Sequence, residues 1–144
     1  MLEVAIRSIH FVGIMVLFAA LFSEHMLITK EMKKEQLRKV AIIDAIFGIS
    51  ALLVLAAGIL LWFYVGNMPE FYTKNWIFHL KITLFIVVAL LSIFPTLFFI
   101  KNRNSNEEII IIPGYVLGFI RAELFILLCI PLLAAAMAKG IGIS

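Results

Sequence analysis

Four long apolar stretches, separated by short polar segments, account for most of the chain. They cover residues 4–28, 40–65, 76–100 and 113–138. Each is longer than the roughly 20 residues that an α-helix needs to cross about 30 Å of hydrocarbon. The pattern therefore predicts a single all-α domain of four transmembrane helices. The first stretch lacks a basic leader and is too long for the apolar part of a signal peptide, so we expect it to be retained.

Composition supports a membrane protein and narrows its chemistry. The chain is 64% hydrophobic and 15% charged, with a mean hydropathy of +1.13. A soluble domain of this size has no core large enough to bury so much apolar surface. We attribute the net charge of +3 to membrane topology and expect no nucleic acid partner. The single cysteine, Cys129, cannot form an internal disulfide, and the lack of a Cys-x-x-Cys-His motif excludes covalent c-type haem.

Basic residues are concentrated in the first and third polar connections, which hold seven of the twelve Lys and Arg. The positive-inside rule then predicts that both termini face outside and that these two connections face the cytoplasm. Because the connections are short, sequential helices should be antiparallel neighbours in an up-and-down bundle. Aromatic residues should form a belt at the outer face, namely Trp62, Tyr64, Tyr72 and Trp76.

Two histidines lie at similar depth near the predicted outer face. His10 is near the start of the first span and His79 near the start of the third, which should be its diagonal partner. Two imidazoles facing each other across a bundle suit the axial positions of a non-covalent haem b. Gly13 would leave space for the macrocycle, and Arg7 and Lys81 would meet its propionates. The alternative is that the histidines bond to carbonyls or lie in the interface, while the lysine extends to the headgroups.

A second group of polar residues lies near the predicted inner face. It comprises Glu24 in the first span, Asp44 in the second, and Arg121 and Glu123 in the fourth. An arginine this deep should face the bundle and pair with a carboxylate, because an unpaired charge is costly in lipid. The group is a candidate proton path, a site for a quinone or porphyrin head, or, least favoured, a metal site. A structural salt bridge between the first and fourth spans is an equally strong interpretation.

Several short motifs are distributed over the whole chain. They are His10-Phe11-x-Gly13, Ser23-Glu24-His25, Ile43-Asp44-Ala45, Asn75-Trp76-x-x-His79-x-Lys81, Pro95-Thr96 and Arg121-x-Glu123-Leu124. On these motifs the chain resembles an uncharacterised family of small four-helix proteins of the bacterial inner membrane. More distantly, the layout is similar to HemJ, the membrane-bound protoporphyrinogen oxidase, and to CopD-like copper-resistance proteins.

The more distant resemblance implies a haem b and an oxidoreductase reaction on a tetrapyrrole. His10 and His79 would be the iron ligands, and Lys81, Arg121 and Glu123 would be the matched polar positions. The leading hypothesis is therefore a haem b-binding redox protein of the inner membrane, with the inner polar group serving protons or the substrate head.

A non-enzymatic role is the alternative hypothesis. The chain would then handle copper or a small solute, or serve as a structural subunit of a membrane complex. A subunit or homo-oligomer would pack through small residues, which the chain offers at 56–58 and 134–136.

Overall fold

The structure, a computed structural model, describes residues 1–65 and 73–142. The helices are α1 (Leu2–Leu27), α2 (Lys34–Leu60), α3 (Trp76–Asn102) and α4 (Gly114–Ala138), and a turn of π-helix, Leu61–Val65, continues α2. All four helices are long and apolar enough to cross a membrane. The predicted four-helix membrane architecture is confirmed, whereas the outward orientation of the termini stays a prediction. Tyr72 of the predicted aromatic belt lies outside the described residues.

Sequential helices are the main packing partners in the bundle. α1 packs along α2, and α3 along α4, with further contacts between α2 and α3 and between α1 and α4. This order closes a ring of four helices in which α1 and α3 are diagonal. Large apolar side chains remain exposed on the outer faces, including Leu52, Phe125 and Leu132 at 70–72%. An apolar exterior of this kind is suited to lipid rather than water.

A short antiparallel ribbon joins the first and third connections. β1 (Glu31–Lys33) pairs with β2 (Ile109–Ile111), so that Met32 lies opposite Ile110. Both of these side chains are buried while their neighbours in the strands are exposed. The sequence pattern predicts polar connections in both segments and does not indicate the ribbon, because three residues are too few to show the two-residue period of a strand. The ribbon places the two basic connections at the same end of the bundle.

Helix ends are determined by local hydrogen bonds. α2 begins at Lys34, earlier than the predicted residue 40, and the Lys33 amide before it donates to Gln36 Oε1 at 3.1 Å. Before α3, Asn75 is fully buried, and its Oδ1 accepts from the Ile77 amide at 2.9 Å. The same side chain donates through Nδ2 to the Ile141 carbonyl at 3.2 Å. One N-cap residue therefore holds both the start of α3 and the segment that follows α4.

Candidate functional site

Four polar side chains, one from each helix, form a buried group that we call the carboxyl cluster. Its members are Glu24 of α1, Asp44 of α2, Thr96 of α3 and Glu123 of α4. The three acidic residues are only 1%, 5% and 1% exposed, respectively. Thr96 Oγ1 donates to Asp44 Oδ2 at 2.6 Å. The structure thus brings together the three carboxyl groups that the sequence analysis selected.

The acidic residues occupy core positions of their helices rather than breaks in the pattern. The buried positions next to each acidic residue lie three or four residues away along its helix, which is one helical turn. Glu24 follows Leu17 and Leu21, Asp44 lies between Val40 and Phe47, and Glu123 lies between Ile120 and Leu127. Side chains that pack the bundle elsewhere are therefore replaced by carboxyl groups at one level.

The arrangement of the carboxyl cluster favours a bound proton. The Glu24 carboxyl group lies within interaction range of Asp44 and Glu123, and neighbouring carboxylates repel each other unless one of them holds a proton. Glu123 likewise lies within electrostatic range of Asp44. Glu24 Oε1 and Glu123 Oε1 are buried and lack any hydrogen-bond partner. The cluster therefore combines like charges at close range with two buried oxygens that have no hydrogen-bond partner.

Arg121 does not join the carboxyl cluster. Its side chain is exposed, and the one ion pair within residues 1–65 and 73–142 joins Arg7 to Glu3. The predicted pairing of Arg121 with a buried carboxylate is therefore wrong. The reason is helical geometry, because residues two positions apart in an α-helix, such as 121 and 123, point in directions about 200° apart around the helix axis. When Glu123 faces the bundle, Arg121 faces the surroundings.

The histidine region comprises Arg7, His10, His79 and Lys81. His10 is half-buried against α2, where its Nδ1 bonds to the Val54 carbonyl at 3.1 Å. Its Cε1 would lie 3.3 Å from a Cβ built on Gly58, so this glycine makes room for the imidazole. The small residues at 56–58, expected at an interface with another chain, thus include one that packs within this bundle.

Gly13 serves helix packing in this structure. A Cβ at this position would lie 2.9 Å from Val54 Cγ2, which is closer than real contacts allow. The space that the sequence analysis assigned to a macrocycle is therefore filled by a side chain of α2, and the glycine allows α1 and α2 to approach closely.

His79 and the cations of the histidine region are held locally. His79 is exposed, and its Nε2 bonds to the Thr73 carbonyl at 2.7 Å, just before α3. Arg7 Nη2 donates to Glu3 Oε1 at 2.7 Å in the preceding turn. Lys81 is half-buried and, with Arg7, supplies the positive charge near His10. The two imidazoles have different partners and do not contact each other, so the structure does not assemble them as an opposed pair.

Thr96 is the site residue that the sequence analysis did not select. It belongs to the Pro95-Thr96 motif, but the sequence gives no partner for its hydroxyl group. A hydroxyl in an apolar span commonly bonds to a carbonyl of its own helix, as Thr83 does to His79. Pairing across helices depends on which carboxyl group lies opposite, and only the packed bundle determines that.

Comparison with known proteins identifies the family. The family model described as "Predicted membrane protein (DUF2214)" matches residues 2–142. The chain belongs to this family. No curated protein and no solved structure matches the chain significantly. The more distant similarity of this DUF2214 protein to HemJ and CopD therefore stays a prediction from the motifs.

Proposed function

We propose that this DUF2214 protein binds and releases a proton at the carboxyl cluster inside the membrane. The observation that carries the proposal is the burial of three neighbouring carboxyl groups with no cation paired to them among the described residues, an arrangement that a bound proton stabilises by neutralising one of the like charges. Glu123 completes an acidic site to which α1, α2 and α4 each contribute one carboxyl group.

Burial favours this function over a simple packing role. Ionisable residues inside a membrane are costly, and those that persist there commonly mark proton or ion paths. A structural salt bridge would need a cation beside the carboxyl groups. No basic side chain forms an ion pair with the cluster in the part of the chain that the structure describes. A shared proton takes the place of that cation.

The unpartnered carboxyl oxygens of Glu24 and Glu123 provide a second acceptor for the proton. Glu24 Oε1 and Glu123 Oε1 are both free to accept a hydrogen bond, and a proton can move between carboxyl groups only where acceptors are open. A metal ion is a less suitable occupant. Among the described residues, no three His, Cys, Asp or Glu side chains are placed to hold a metal ion.

Infrared difference spectroscopy of the protein in lipid vesicles tests the proposal directly. We expect a carbonyl band from a protonated carboxyl group at neutral pH, with a shift in heavy water. Glu24→Gln and Asp44→Asn should each remove or move this band, because each replaces one of the carboxyl groups that can hold the proton. Glu35→Gln, which alters an exposed carboxylate in the first turn of α2, is the matched control. A wild-type spectrum without the band would refute the proposal.

Haem b binding with a redox role is a second proposal, and one observation favours it. Nδ1 of His10 is taken up by the Val54 carbonyl, which leaves Nε2 available, as in histidines that ligate metals. The pair as a whole does not fit, because His79 is exposed and bonded beside its own helix. Absorption spectra of oxidised and reduced protein from haem-replete cells test this idea. A Soret band that weakens in His10→Ala and His79→Ala would support it, and a colourless folded protein would overturn it.

A further inference from the structure

A groove at the ribbon end of the bundle combines two arginines with an apolar wall. Its lining residues come from the start of α2 and from the segment just after α3, and they are Arg38, Ala41, Ile42, Ala45, Arg103 and Asn104. The groove lies outside the carboxyl cluster and outside the histidine region. It is also at the end where the two basic connections meet through the ribbon.

A side-chain to backbone contact positions Arg38, and neither arginine has a carboxylate partner among the described residues. Arg38 Nε donates to the Arg103 carbonyl at 3.1 Å, so the side chain of α2 is tied to the end of α3. Neither guanidinium forms an ion pair with any carboxylate in the described ranges. Acidic residues are present in the same connections, at 31, 35, 107 and 108, yet none of them neutralises the groove. Two positive charges therefore line one groove without a carboxylate partner among the residues that the structure describes.

The remaining wall of the groove suits a hydrocarbon chain. Ala41, Ile42 and Ala45 line it from α2, and Ile42 is 62% exposed. This side of α2 continues into the span that crosses the membrane. A ligand that fits must therefore carry negative charge at one end and an apolar chain at the other.

We propose that the groove binds the headgroup of an anionic phospholipid, with its acyl chain lying along α2. Guanidinium groups match phosphate oxygens in both charge and geometry. Basic sites beside membrane-spanning helices bind acidic lipids at the cytoplasmic surface. The predicted orientation places the ribbon end at that surface. The lipid would join the start of α2 to the end of α3, next to the ribbon.

Native mass spectrometry of the detergent-purified full chain tests the site with two lipids of matched acyl chains. We expect phosphatidylglycerol to be retained on the wild type about tenfold better than phosphatidylcholine, since only the former has a net negative headgroup. Arg38→Gln with Arg103→Gln should remove this preference. Lys39→Gln with Lys101→Gln is the matched control, because it deletes the same amount of charge from α2 and from the last turn of α3, next to the two arginines but outside the groove.

The outcomes separate a built site from general attraction. Loss of the preference in the arginine variant alone supports the proposal. Equal loss in both double variants overturns it in favour of diffuse electrostatics, and equal retention of the two lipids by the wild type overturns it outright. Addition of inorganic phosphate provides a further arm. If phosphate alone displaces the lipid at comparable concentration, the groove binds soluble anions rather than a phospholipid, and the proposal fails.

Discussion

The carboxyl cluster and the histidine region carry similar numbers of ionisable groups but are built in different ways. In the carboxyl cluster, Glu24, Asp44 and Glu123 come from three helices and are almost completely buried. In the histidine region, Arg7 pairs within its own helix and His79 bonds just before its own helix. Only His10 reaches a neighbouring helix, through the Val54 carbonyl.

This difference distinguishes polar groups that have an ordinary structural explanation from groups that indicate a functional site. Groups near a helix end have water and headgroups within reach, so they can satisfy their hydrogen bonds locally. Groups buried in the packed core of a bundle can be satisfied only by one another, and several of them together in lipid are difficult to explain without a function. The contrast identifies the carboxyl cluster as the stronger candidate for chemistry.

The largest expected effect is on proton movement. In vesicles with a trapped pH-sensitive dye and an imposed membrane potential, Glu24→Gln with Glu123→Gln should slow proton flux on the order of 100-fold, as expected when positioned proton-transfer groups are lost. His10→Ala with His79→Ala should leave the flux within about twofold of the wild type. The reverse result would move the candidate site from the carboxyl cluster to the histidine region.

Gly13 tests whether the histidine region is a packed interface. Gly13→Ala should lower the free energy of unfolding by about 1–3 kcal/mol, because the new Cβ overlaps Val54 Cγ2 and forces the helices apart. Unfolding in mixed micelles with rising dodecyl sulfate would measure the change. Gly118→Ala is the control, since nothing lies within 4 Å of its Cβ position. An unaffected Gly13→Ala protein would indicate free space beside His10 after all.

Thr96 tests the contribution of α3 to the carboxyl cluster. Thr96→Val keeps the shape of the side chain but removes the donor to Asp44 Oδ2. The expected loss of stability is about 1–2 kcal/mol, because a charged or partly charged acceptor loses its partner in a buried site. Thr83→Val, which removes a hydroxyl bonded within its own helix, should cost less in the same assay. Equal costs for the two variants would argue against a special bond at Thr96.

The smallest expected effect is at Arg7. Its ion pair with Glu3 is 43% and 50% exposed at the two side chains, and exposed pairs one turn apart contribute about 0.5 kcal/mol or less. Arg7→Gln should therefore leave the unfolding midpoint nearly unchanged. A large loss would show that this arginine has a second partner in the membrane-bound protein.

Much of the site could be predicted from the sequence because helical periodicity and depth are both visible there. Glu24 lies on the same stripe of α1 as Leu17 and Leu21, and all three are buried. The same reasoning, applied to α4, would have separated Arg121 from Glu123 by their two-residue spacing. The predicted ion pair is wrong because the depth of Arg121 in the membrane does not determine which side of α4 it occupies.

Other features depend on contacts that no local pattern reveals. Gly13 was interpreted as space for a ligand, whereas the structure places Val54 against it. A glycine indicates only that something approaches closely, and the identity of the neighbour depends on how two helices are aligned. The ribbon between β1 and β2 is invisible to local patterns for a similar reason, since its paired residues are 76 to 80 positions apart in the chain, from Lys33 with Ile109 to Glu31 with Ile111.

The sequence by itself determined that this DUF2214 chain crosses the membrane four times, because hydrocarbon excludes polar residues and sets a minimum length for an apolar helix. It also determined which polar residues lie too deep to be ordinary surface groups. Only the tertiary structure decided which of them meet. Helix rotation and packing bring Glu24, Asp44, Thr96 and Glu123 together in the core and leave Arg121 and His79 exposed, and rotation is set by the fit of all four helices at once.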